Sequence, residues 1–193
     1  MPWYFILTQI FFWMALATWF GAVLFVAVAP QFIQKTVREH NPVLPTVLSV
    51  NLEGQHGTLL AGSIVAALMA PLQRLELVCA GVMLLALIGQ WLILTPSGGT
   101  DLILPILRTA MYLFATVLLI YDWRVVWPRS LKFRQEYLDH ADEPEVANPA
   151  LDLLEKNEAE SFMILQIIMA LLIGMILFSA SITYSRPIPL PLR

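Results

Sequence analysis

The stretch from Leu102 to Tyr137 constrains this chain more than any other. Between Ile103 and Tyr121 the only charged side chain is Arg108. A helix crossing a bilayer takes about 20 predominantly apolar residues, and this run supplies them. At Asp122 the character changes, to Asp122-Trp123-Arg124-Val125-Val126-Trp127-Pro128-Arg129. Indole and basic side chains interleaved at the end of an apolar run suit the lipid headgroup boundary. Trp123, Arg124, Trp127 and Arg129 are therefore assigned as interface anchors. Further on, Trp123, Val126, Trp127, Leu131 and Leu138 recur at helical spacing, with a kink expected at Pro128.

The rest of the chain has the same apolar character. Of its 193 residues 59% are apolar and 13% charged, outside the range of soluble globular domains. The expectation is one membrane domain, 1–193, folded as an all-α integral membrane helical bundle of four transmembrane helices. The expected spans are 3–29, 77–95, 102–121 and 162–182. The net charge is -3 and Lys and Arg are not pooled in a tail, which argues against nucleic acid as a partner. The lone Cys79 cannot form an internal disulfide or a CxxC-type metal site, and its apolar surroundings predict a buried, inert thiol. Ala27-Val28-Ala29 looks like a signal-peptide cleavage site. No basic residue precedes the apolar run, however, and the run is far longer than a signal core, so a retained first span is expected.

Residues 57–71 are the ambiguous segment. Pro42 and Pro45 precede it, Pro71 closes it, and Gln73, Arg74 and Glu76 follow. A short apolar run of this kind reads as an amphipathic or re-entrant helix before the second span. To cross, it would draw Glu53 and His56 into the membrane, which is costly. Glu53, His56, Arg74 and Glu76, with Gln90 and Arg108, are the candidate residues for a polar pathway or for helix contacts. Arg108 either snorkels to the interface or pairs with Gln90 or a carboxylate on another helix. Two small-xxx-small pairs, Ala17 with Gly21 and Ala170 with Gly174, predict faces where helices approach closely.

From Glu136 to Glu145 the chain turns acidic around His140. The spacing is irregular and Pro144 interrupts it, so a solvated loop is expected rather than a metal site. Asn148-Pro149 reads as a helix start leading into the last span. If 57–71 does not cross, Lys35, Arg38, Arg74, Arg124, Arg129, Lys132, Arg134 and Lys156 share one side, against Arg186 and Arg193 on the other. If it does cross, the split evens out. Positive charge collects in the cytoplasm, so four spans are expected, with the 122–160 loop cytoplasmic and both termini outside. A bacterial inner membrane fits this compact form.

Catalytic chemistry finds little support. His40, His56 and His140 lie in loops or at helix edges, a poor arrangement for haem ligation inside a bundle. No H-E-x-x-H, P-loop or G-x-S-x-G pattern occurs. No catalytic, cofactor or metal residue is assigned, and no cofactor is expected. The expected role is a non-catalytic multi-pass membrane component that binds a partner, either a second copy or another membrane protein, within the lipid bilayer. The alternative is a small transporter or resistance accessory for metal or drug-like solutes.

Several short motifs together resemble the transmembrane protein 205-like family of small helical membrane proteins. They are Trp19-Phe20-Gly21 with Val28-Ala29-Pro30 in the first span, Ala61-Gly62 ahead of Pro71, and Pro128-Arg129 before a long polar loop and a last span. The resemblance implies four spans. Eukaryotic members are associated with resistance to platinum compounds, which implies metal or drug handling. It carries over no site residue. The proline-containing loop from Gln31 to Asn51 and the acidic stretch from Glu136 to Glu145 depart from the family pattern.

Overall fold

The computed structural model describes residues 3–40, 56–94, 103–140 and 144–184, and among these no strand is present. The helices among the described residues are α1 (Trp3–His40), α2 (His56–Leu94), α3 (Ile103–Tyr121), α4 (Trp127–Asp139) and α5 (Pro144–Tyr184), with a π-helical stretch, Asp122–Val126, joining α3 to α4. Among the described residues four helices are long and apolar enough to cross a membrane: Ile6–Val37, Gly62–Leu92, Ile103–Tyr137 and Ala147–Ala180. The fold is an all-α bundle of the multi-pass membrane class.

Helix α1 has 38 residues, α2 has 39 and α5 has 41. At 1.5 Å per residue each is about 57–62 Å long, roughly twice the hydrocarbon thickness of a bilayer. Each rod therefore carries a spanning part and an extension beyond it.

What joins the rods is a heptad-like spacing of the buried positions. On α1 these are Phe12, Ala15, Leu16, Trp19, Ala22, Val23 and Val26; on α2 they are Gln73, Glu76, Cys79, Ala80, Met83, Ala86, Leu87 and Gln90. Helix α3 presents Arg108, Tyr112, Ala115 and Leu119, continued by Asp122 and Val126, and α5 presents Ile164, Ile168, Leu172 and Met175. Alternating steps of three and four set one seam along each helix, the pattern of antiparallel bundles. Thr8 meets Gly89 across α1 and α2, Trp91 meets Thr109 across α2 and α3, and Met111 meets Gly174 across α3 and α5. Successive rods therefore run antiparallel. The start of α1 and the end of α5 lie at one end of the bundle, here called the terminal end; the opposite end is the loop end.

Several boundaries differ from the sequence expectations. The segment 57–71 is not a separate amphipathic or re-entrant helix: α2 runs unbroken from His56 through Pro71 to Leu94. Likewise α1 continues past Pro30 to His40. A proline inside a helix removes one backbone hydrogen bond, but a neighbouring helix can hold the rod straight through that loss. Here Pro30 and Leu72 line the same apolar cleft between α1 and α2, together with Val26, Ala29, Val65 and Met69. Pro128 lies in the first turn of α4, directly after the π-helical stretch, where the Trp127 N–H bonds back to the Asp122 carbonyl. Proline cannot donate at position 128, and a wider turn ahead of it accommodates the ring. The final helix begins at Pro144, not at Asn148, and Pro149 lies inside it.

Candidate functional site

Polar side chains in phase with the seams are driven into the interior, and they form two layers. The layer nearer the terminal end contains Arg108 and Gln90, which are 3% and 1% exposed. Arg108 does not snorkel. Its Nη2 donates to Gln90 Oε1 at 2.5 Å, and its guanidinium sits 4.9 Å from the centre of the Phe12 ring. Alongside, the Trp91 indole donates to Thr109 Oγ1 at 3.0 Å, and that hydroxyl donates in turn to the Pro105 carbonyl. Arg108 Nε and Gln90 Nε2 have no hydrogen-bond partner among the described residues. The α2 and α3 backbones stand apart here, and long polar side chains fill the gap. Tyr112 does the same one turn on, its hydroxyl donating to the Ala80 carbonyl at 2.7 Å.

The second layer lies at the π-helical stretch. Asp122 is 9% exposed; its Oδ2 accepts from Gln73 Nε2 at 3.2 Å and its Oδ1 from Ser161 Oγ at 2.7 Å. Glu76, 4% exposed, stands one helical turn from Gln73, on the same seam of α2 and within electrostatic reach of Asp122. Among the described residues no Lys or Arg forms an ion pair with either carboxylate. Next to them Asn157 Nδ2 donates to the Val126 carbonyl at 2.9 Å and to Ser130 Oγ at 2.5 Å. Asn157 therefore clamps α5 to the wide turn. Toward the loop end, Tyr121 donates to Glu160 at 2.9 Å, and Arg134 reaches both the Gly62 carbonyl and Glu158.

The residues singled out from sequence divide accordingly. Glu53 lies outside the described residues. His56 opens α2, and of the two described side chains Arg74 is exposed and Glu76 is buried, so these two face opposite ways. Gln90 and Arg108 meet. Trp123 and Trp127 are half-buried, Arg124 and Arg129 are exposed, and the Arg124 guanidinium lies 4.7 Å from the centre of the Trp123 ring. Ala17 and Gly21 are exposed and do not pack inside the bundle. The other pair splits: Ala170 is exposed, whereas Gly174 packs so closely on Met111 that a methyl group there would overlap the Met111 Cε. Among the described residues no group of three or more His, Cys, Asp or Glu is placed to hold a metal ion.

Sequence reading passed over Gln73, Asp122, Ser130, Asn157 and Ser161. The signal was the seam itself: Asp122 follows Tyr112, Ala115 and Leu119 in the three–four rhythm, and Asn157 and Ser161 precede Ile164 and Ile168 in it. A scan against family models finds no match to the chain, and comparisons with curated proteins and with solved structures find no significant similarity.

Proposed function

We propose that this protein is a non-catalytic membrane component that docks another membrane-spanning helix against the outer face of α1. The observation that carries this is the placement of Ala17 and Gly21. Both are exposed, and nothing lies within 4 Å of where a Gly21 Cβ would stand. They sit at the centre of a second three–four stripe on α1, outside the bundle: Ile10, Met14, Ala17, Gly21, Leu24 and Val28. A groove of small residues flanked by larger ones lets a partner backbone approach closely, the main source of helix affinity in lipid.

The interior gives less support to a solute path. It is filled by Leu16, Trp19, Met83, Leu119, Leu172 and Met175, each 2% exposed or less. The cleft between α1 and α2 amounts to about 10 Å³.

Placement in a bacterial inner membrane, with the loop end cytoplasmic and both termini outside, belongs to the same reading. Lys35, Arg124, Arg129, Lys132, Arg134 and Lys156 gather toward the loop end, which fits the positive-inside bias. The four-span form also fits the resemblance to the transmembrane protein 205-like family. Native mass spectrometry of the wild-type protein and of G21L, released gently from the same membrane, tests the docking. The expected result is a complex, with a second copy or another membrane protein, that G21L loses while remaining helical. A bare wild-type monomer, or a complex equally abundant in G21L, refutes it.

A further inference from the structure

The carboxylates of the loop-end layer raise a question that helix docking leaves unanswered. Glu76 on α2 and Asp122 on the π-helical stretch both face the interior, and no cation pairs with them among the described residues. Asp122 is held by two donors. Glu76, at 4% exposure, has no hydrogen-bond or ion-pair partner among the described residues, and its electrostatic neighbours are Asp122 and Cys79. Two unpaired negative charges taken out of water at one place are costly enough that one must be neutralised. Among the described residues no third His, Cys, Asp or Glu joins the pair in a group placed to hold a metal ion. A proton, which needs no cavity, fits this packing.

We propose that Glu76 and Asp122 form an exchangeable proton-binding site, reached from the loop end through Ser161 and the Tyr121–Glu160 pair and closed toward the terminal end. Binding forms one carboxyl O–H bond, taken from hydronium with release of water, and lowers the charge of the pair from two to one. The entry side is polar. Ser161 touches Asp122, and the adjacent Glu160 is half-buried, holds the Tyr121 hydroxyl and acts electrostatically on Asp122. Arg129 acts on Tyr121 at the same surface. The far side is apolar, with Met83, Ala86 and Leu87 following on α2, and the Tyr112 hydroxyl is already committed to the Ala80 carbonyl. Helix α1 has no charged group between Trp3 and Lys35; its charged residues lie in its last turns, beyond the Pro30 level that meets Leu72.

Infrared difference spectroscopy of the full-length protein in proteoliposomes, with pH set separately on the two sides, tests this. The carbonyl-stretch absorption of a protonated carboxyl group is expected at neutral pH. It shifts on exchange into heavy water and responds to pH at the loop end only. E76Q abolishes it, D122N displaces it, and E39Q, which alters an exposed partner of Lys35, leaves it in place. If E76Q fails to insert, the displacement in D122N and the heavy-water shift of the wild type carry the test. Absence of the band, its persistence unchanged in D122N, or its failure to exchange overturns the site. A response to pH at the terminal end overturns its sidedness.

Discussion

Replacing Gln90 by Leu is expected to harm the bundle more than replacing Gln90 and Arg108 together would suggest. Arg108 is a buried cation whose Nη2 bond to Gln90 is short, and its Nε is already unpartnered among the described residues. A hydrogen bond to a charged group contributes about 1.5–3 kcal/mol in general. Interhelical polar bonds measured in membranes are weaker, about 0.6 kcal/mol on average and up to about 1.7. The full burial of this pair places it toward the upper end. Q90L leaves the guanidinium with the Phe12 ring as its one partner among the described residues, and R108M leaves the Gln90 amide without a partner among them. Each single variant is expected to cost about 2 kcal/mol, the penalty for stranding a buried polar group. The double variant R108M/Q90L strands neither. It should cost about 1.5 kcal/mol less than the sum of the singles, near the upper end of the coupling that membrane pairs show. Reversible unfolding in mixed micelles, followed by circular dichroism, reads all four corners of the cycle. Costs that add to within about 0.5 kcal/mol refute the reasoning, because independent sites behave that way.

Other consequences follow from the same packing. G174L is expected to destabilise the bundle by about 1–3 kcal/mol through overpacking against Met111, while G21L, with open space around it, leaves the unfolding midpoint unchanged; both are read by the same micelle titration. N157L removes the donor to Val126 and Ser130 and should cost about 1–3 kcal/mol, with faster amide exchange across 122–130 by hydrogen-exchange mass spectrometry. Cys79, 5% exposed, should resist maleimide in the folded protein and react once the bundle is unfolded; rapid labelling in native membranes contradicts its burial.

Residue by residue, the sequence was informative about spans and poor about interior faces. The apolar run from Ile103 to Tyr121 coincides with α3, because hydrophobicity over a whole span is a large summed signal. The number four needed the Lys and Arg split as well, and four helices among the described residues are long and apolar enough to cross. Proline misled the reading at Pro30 and Pro71, where a single missing backbone bond did not end the helix. The site was harder, because in a chain that is apolar on all sides a polar residue does not announce which way it points. Arg108 could by sequence snorkel or pair inward, and it pairs with Gln90. Glu76 and Arg74, two residues apart, went to opposite environments because only Glu76 is in phase with Gln73, Cys79 and Ala80. Ala17 and Gly21 have the spacing of a close-packing face, but spacing alone does not reveal that the face lies outside the bundle.

The most direct test of the docking account is photocrosslinking in the native membrane with a photoreactive residue placed at position 21, compared with one at Val117. Val117 is 61% exposed on α3 and has no small-residue groove around it. The account predicts that the probe at 21 captures one defined protein, a second copy or another membrane protein, while the probe at 117 captures lipid. Lipid at both positions, or the same protein at both, contradicts it.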